Sequence, residues 1–135
     1  MPDPLRALSG VTFKVAARCN LNCSYCYVYN KGDTTWRGRP ARMSQEVFEA
    51  GIGRLREACL RSGRDHVSVT LHGGEPTLIG TSRARAFFDA ARHGLQDVAE
   101  VRLAVQTNGT RLTREKDGSL LLLRHGVRIR FRREE

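Results

Sequence analysis

Three stretches of the chain alternate apolar and polar residues in the two-residue rhythm of a strand with one buried face. In residues 11–16, Val11, Phe13 and Val15 fall on one side, with Thr12 and Lys14 opposite. In residues 66–72, Val67, Val69 and Leu71 share a side, with Ser68, Thr70 and His72 opposite. In residues 101–107 the apolar side is Val101, Leu103 and Val105, and Arg102 and Gln106 lie across from it. Strands held between two helix layers are apolar nearly throughout. These are apolar on one side only, so they predict a curved sheet with helices outside and a partly polar interior.

Between the strands the rhythm lengthens. Ser44 is an N-cap candidate for a helix running to about Ser62, with Phe48, Ile52, Leu55 and Cys59 on one stripe. That stripe makes Cys59 a core residue rather than a ligand. A second helix is expected over 82–93 and a third, poorly patterned one within 112–125, interrupted at Gly118. Gly63, Gly94 and Gly126 each follow a basic residue closely and recur roughly every thirty residues, the length of a strand, crossover helix and return. Each reads as a helix C-cap, with the cation complementing the dipole. A fourth strand is expected over 127–131. The fold class is therefore α/β: a partial parallel (βα) barrel of about four strands with helices on the outer face. Residues 1–10 read as an N-terminal tail, 11–131 as the core and 132–135 as a C-terminal tail.

Parallel strands put "RCNLNCSYC", "HGGEPT" and "QTNGT" together, because each follows the carboxyl end of a strand. Barrels and open α/β sheets build their sites on that rim. Cys19, Cys23 and Cys26 suit an iron–sulfur cluster or zinc. Three ligands leave one corner of a four-iron cluster open to an outside group, as a catalytic zinc keeps an open position. The other reading is a zinc knot completed by His72 or Cys59. Gly73 and Gly74 allow a sharp turn that exposes backbone amides and carbonyls, and Glu75 beside them suits an ammonium group. By themselves "GGEP" and Asn108–Gly109 are ordinary turn signals.

The 135 residues suit one domain, and 40% hydrophobic with 27% charged residues excludes wholesale disorder. The longest apolar run, 120–123, is far too short to span a bilayer. No membrane partner is implied, and a cytoplasmic, reducing setting is expected, where clustered cysteines hold metal more often than they pair. The formal charge of +9 is almost all arginine, with Lys14, Lys31 and Lys116 the only lysines. The arginines are spread out rather than interleaved with aromatics, so a solvated basic surface is favoured over a nucleic-acid site. An acidic peptide or protein partner fits the same charge.

Cys-x3-Cys-x2-Cys after a first strand, an aromatic before the last cysteine, "GGEP" after the second strand and "QTNGT" after the third together resemble radical S-adenosylmethionine enzymes. Among these, the chain looks like peptide- and protein-modifying members, including sulfatase-maturating enzymes. The stretch "CYVYNKGDTTWRGRPARMS" is similar to maturases that build cyclophanes in FxSxx-type peptides. The resemblance implies that Cys19, Cys23 and Cys26 ligate a [4Fe-4S] cluster whose fourth iron takes the amino and carboxylate groups of S-adenosylmethionine. It implies Tyr25 against the adenine, Gly73, Gly74, Glu75 and Pro76 around the methionyl amino group, and Gln106 and Asn108 lining the cavity. It also implies an external electron donor and hydrogen abstraction from a peptide or protein. The aromatic loop over 27–43, with Tyr29 and Trp36, is long for a βα connection and either covers the cluster, clasps substrate or packs over the barrel mouth.

The resemblance is close over about 11–110 and loose over 111–127. The family's barrel has about six strand–helix units, and a family strand of small residues is replaced here by "RIRFRREE". If Val127, Ile129 and Phe131 face the helices, Arg128, Arg130 and Arg132 point inward, which is costly without partners. An incomplete radical enzyme is the favoured expectation, binding its cluster weakly and turning over poorly; self-association to complete the barrel is the alternative. Two further readings stay open: a zinc-stabilised basic module that holds nucleic acid, and a cluster-binding remnant without catalysis.

Overall fold

A computed structural model describes residues 4–114, 120–124 and 127–131. Three parallel strands form its main sheet: β1 (Gly10–Ala16), β2 (His66–Gly73) and β3 (Glu100–Val105), in the order β1-β2-β3. The faces sort as the alternation requires. Phe13 and Val15 of β1 and Val67, Val69 and Leu71 of β2 are buried, whereas Thr12, Lys14, Arg102 and Gln106 are exposed.

Helices α1 (Gln45–Ser62) and α2 (Thr81–Leu95) cover the apolar face. Phe48 of α1 joins the layers: its ring stacks on Phe87 of α2 at 4.2 Å and tilts against Phe13 of β1 at 4.6 Å. The capping chemistry of α1 is as its sequence suggests. Ser44 Oγ accepts from the Val47 amide at 3.2 Å, and Gly63 closes the helix at φ 67°. Cys59 is buried in the stripe with Phe48, Ile52 and Leu55, as a core residue should be.

Gly94 departs from its reading as a cap. It lies inside α2, which runs on to Leu95, and a Cβ there would stand 2.6 Å from Ile52 Cγ2. The residue is small because α1 and α2 cross at that point, and Arg56 of α1 reaches over to donate to the Gly94 carbonyl and to Asp97. The N-terminal tail is also more ordered than expected: Pro4–Ala7 forms a 3-10 turn beside α1, and Arg64 donates to the Arg6 carbonyl.

The largest correction lies after β3. In place of a third helix and a fourth parallel strand, β4 (Thr113–Arg114), β5 (Leu120–Arg124) and β6 (Val127–Phe131) make a separate antiparallel sheet in that order. Only two residues separate β5 from β6. That length makes a hairpin, whereas a parallel return needs a dozen or more residues. The cap reading of Gly126 and the inward orientation of Arg128, Arg130 and Arg132 lie outside the described residues. No helix among the described residues is long and apolar enough to cross a membrane.

Replacing Gly94 by valine should force α1 from α2 and destabilise the fold by about 1–3 kcal/mol. A lowered urea midpoint checks this; an unchanged midpoint would mean that the helices do not meet at Gly94.

Candidate functional site

Parallel pairing places the ends of β1, β2 and β3 on one rim, and the three loops that leave it are hydrogen-bonded to one another in a closed triangle. The first side joins the β2 loop to the cysteine loop. The Gly74 amide donates to the Ala16 carbonyl at 2.9 Å, and the Glu75 amide donates to the Arg18 carbonyl at 2.9 Å. Both glycines are needed for this approach. A Cβ on Gly73, whose φ is +146°, would overlap the Ala16 carbonyl, and one on Gly74 would overlap Arg18 and the Tyr29 hydroxyl. A register shift between Lys14 and Ala16 brings Ala16 opposite Gly73 at this point. The amides of Gly74 and Glu75 therefore face the protein rather than a ligand, a correction to the exposed-amide reading.

Glu75 makes the second side. Its side chain is fully buried, and its carboxylate accepts four hydrogen bonds. Oε1 accepts from the Thr77 amide at 3.1 Å, the Thr77 hydroxyl at 2.8 Å and the Thr107 hydroxyl at 2.6 Å. Oε2 accepts from the Asn108 amide at 2.8 Å. A buried carboxylate is tolerable only with such a set of donors. Sequence reasoning set Glu75 at the rim as an acceptor for an ammonium group; in the structure its carboxylate ties the β2 loop to the β3 loop. Pro76 is buried beneath it at the start of the 3-10 turn Pro76–Ile79.

Asn108 and Asn20 make the third side. Asn108 Nδ2 donates to Asn20 Oδ1 at 2.9 Å and reaches Cys19 Sγ at 3.8 Å, while Asn20 Nδ2 donates to Thr110 Oγ1 at 2.9 Å. Asn108 Oδ1 in turn accepts from the Thr110 amide and hydroxyl. Asn20, Thr107 and Thr110 were not singled out in the sequence. Hydrogen-bonding residues on loops carry no periodic signal, and only the closeness of the strand ends reveals them.

The three cysteines are free and partly exposed. Cys19 Sγ accepts from the Leu21 amide at 3.5 Å as well as from Asn108 Nδ2 at 3.8 Å. Cys23 and Cys26 are brought round by a turn in which the Cys26 amide donates to the Cys23 carbonyl and Asn30 Nδ2 donates to the same oxygen at 2.7 Å. Tyr25 is 79% exposed, its hydroxyl held above the ordinary phenol value first by its hydrogen bond with Cys23 and then by charge there. Gln106 and Asn108 are both exposed at the rim. No three Cys, His, Asp or Glu side chains among the described residues converge tightly enough to share one metal ion. His72, half-buried on the polar face, has its pKa lowered by burial and then by Lys14.

The long loop lies over the end of β1. Its 41–43 segment runs beside that strand, with the Ala17 amide donating to the Ala41 carbonyl and the Met43 amide to the Val15 carbonyl. The Trp36 ring packs under the guanidinium of Arg18 at 5.2 Å, and Arg18 donates to the Trp36 carbonyl at 3.0 Å. A cavity of about 750 Å³ opens between this loop and Gly73–Gly74, lined also by Lys14, Tyr29, Trp36 and Met43.

Residues 13–129 match the Radical SAM superfamily. The chain is 30% identical over 92 residues to a cysteine-type anaerobic sulfatase-maturating enzyme of Clostridium perfringens, covering 68% of this chain and 24% of that protein. It is 29% identical over 107 residues to a probable GTP 3′,8-cyclase of Methanocella arvoryzae, covering 79% of this chain and 29% of the relative. Among solved structures, it is similar to native anSMEcpe with bound AdoMet and Kp18Cys peptide, with a TM-score of 0.57 and 29% identity over 76% of this chain and 26% of that one. The chain thus spans about a quarter of the length of these proteins.

Two measurements check the site. Glu75→Gln places an amide group among four donors, so it should destabilise the protein by about 1.5–3 kcal/mol in urea unfolding; a shift of a few tenths would contradict the buried acceptor. Cys59→Ala should leave the iron content after anaerobic reconstitution equal to that of the wild type, and loss of iron would make Cys59 a ligand.

Proposed function

Because the chain belongs to the radical S-adenosylmethionine superfamily, we propose that it forms the cluster-bearing part of an enzyme that modifies a peptide or protein. Cys19, Cys23 and Cys26 hold a [4Fe-4S] cluster in this reading, and the loops after β2 and β3 seat S-adenosylmethionine at the iron that no cysteine reaches. When bound, cluster and cofactor supply reductive cleavage to methionine and a 5′-deoxyadenosyl radical that takes hydrogen from the substrate.

The observation that carries this reading is the closed triangle of loops. It fixes the cysteine loop against the Gly73–Glu75 turn through backbone hydrogen bonds. An ammonium group requires acceptors. With the Gly74 and Glu75 amides turned inward, the carbonyls of the turn are the groups to meet the methionyl amine, and Glu75 positions them from beneath. Tyr25, exposed beside Cys23 and Cys26, is free to close on the adenine. Gln106 and Asn108 occupy the rim where substrate meets the radical, and an external donor delivers the electron.

A peptide or protein substrate is supported by the likeness to sulfatase-maturating enzymes, of which one solved structure carries a peptide. The arginine-rich charge of +9 suits an acidic partner. A cytoplasmic setting belongs to the same reading, since it keeps such thiols reduced.

Anaerobic reconstitution with iron and sulfide should give a brown protein approaching about four irons per chain, and addition of dithionite and S-adenosylmethionine should yield 5′-deoxyadenosine at a low rate, in keeping with the weak cluster binding and poor turnover expected of this chain alone. Alanine at Cys19, Cys23 or Cys26 should abolish both. Colourless protein with one zinc per chain would overturn the reading.

A further inference from the structure

Buried polar atoms in proteins almost always have a hydrogen-bond partner, and each exception calls for an explanation. The Tyr29 hydroxyl and the Trp36 indole nitrogen are both exceptions: each is shut off from solvent and has no partner among the described residues. They are neighbours, since the two rings meet edge-on at 4.9 Å and 87°. Both residues line the cavity of about 750 Å³ between the aromatic loop and the end of β1. Sites of that size take a small ligand or a short stretch of peptide. Packing holds both rings in place. The guanidiniums of Arg18 and Arg37 lie over the Trp36 ring at 5.2 and 5.4 Å. The Tyr29 hydroxyl lies against Gly74 so closely that a Cβ on that residue would overlap it.

An indole N–H can only donate, and a phenol hydroxyl donates at neutral pH, so one group that serves both is an acceptor. Charge narrows the choice. Lys14, Arg39 and Arg42 line the cavity against a single acid, Asp33, whose carboxylate already accepts from the Thr35 amide at 2.9 Å. A carboxylate ligand brings two acceptor oxygens, no donor and the complementary charge. We propose that this cavity takes a carboxylate of the peptide substrate, an acidic side chain or a chain terminus, with Tyr29 and Trp36 donating to its oxygens and the three cations attracting it. The proposal rests on the peptide-modifying reading and gives that substrate a charge. The cavity also reaches Gly73 and Gly74, so a carboxylate anchored in it sets the rest of the peptide beside the turn assigned to the cofactor.

Trp36 is the only tryptophan in the chain, so its fluorescence reports on this cavity alone. The test titrates reconstituted protein, without S-adenosylmethionine, with three probes: acetyl-Ala-Glu-Ala-amide, its glutamine counterpart, and acetyl-Ala-Gln-Ala with a free carboxyl end. An acidic probe should change the emission saturably, and the uncharged amide should bind about tenfold more weakly or worse. Comparing the two acidic probes tells a side chain from a chain terminus. Tyr29→Phe should weaken the acidic probe about tenfold. Arg39→Gln/Arg42→Gln, both at exposed positions, should weaken it as well and flatten its salt dependence. Arg54→Gln should leave the affinity in place, because Arg54 pairs with Glu57 on α1 and does not line the cavity. That control separates the cavity from the general basic charge. If Tyr29→Phe fails to fold, the arginine pair decides. Equal binding of acidic and uncharged probes, no response to any of them, or unaltered affinity in the arginine variant overturns the assignment. Displacement of the acidic probe by S-adenosylmethionine also overturns it, by giving the cavity to the cofactor. Protein that takes up no iron fails the radical reading, while the same titration on that protein still decides what the cavity binds.

Discussion

A carboxylate with no access to water is the constraint on which the site turns. Glu75 is fully buried, and burying an ion without partners costs several kcal/mol. Here the cost is offset by donors from two loops, Thr77 on its own and Thr107 and Asn108 on the neighbouring one. The carboxylate can exist only if those loops are together, and the loops stay together because it is there. Its own amide extends the same constraint to Arg18, and so to the residue before Cys19. The rim is thus organised by a buried group whose hydrogen bonds hold two of its loops together.

Much of the fold was legible because it is periodic. The alternation in β1 and β2 identified the buried residues, the stripe on α1 located Cys59 in the core, and the parallel order of three strands gathered three loops on one rim. The region after β3 was misread because its signals conflict. Leu120 to Leu123 are apolar without a helical or strand period, and spacing between glycines suggested a helix where a two-residue connection required a hairpin. Gly94 was misread for a related reason. A basic residue followed by glycine marks a helix end only when the backbone turns left-handed there, and at Gly94 the neighbouring helix, not the backbone, demands the missing side chain.

The site was legible in its parts and not in its wiring. The cysteines, the paired glycines, Glu75 and Asn108 all stood out, and all lie in the three loops. Their roles differed from the expected ones where a contact depends on distant chain segments. Glu75 was read as facing a ligand because nothing local reveals that Thr107 and Asn108 arrive above it. Asn20 was not noticed because an asparagine in a loop is ordinary until Asn108 and Thr110 are beside it. The aromatic loop was left undecided, and its packing on Arg18 and β1 shows a structural task that a covering role does not displace.

These observations support a basic α/β core that holds its cysteine loop ready against a glycine turn. The account stands or falls on whether an open iron meets the cofactor's amine there. Electron–nuclear double resonance of the reduced, reconstituted protein with S-adenosylmethionine carrying nitrogen-15 in its methionyl amino group measures this directly. The account predicts a nitrogen-15 coupling to the cluster spin, showing the amine on iron. A reduced cluster with no such coupling, although the cofactor is bound, would contradict it.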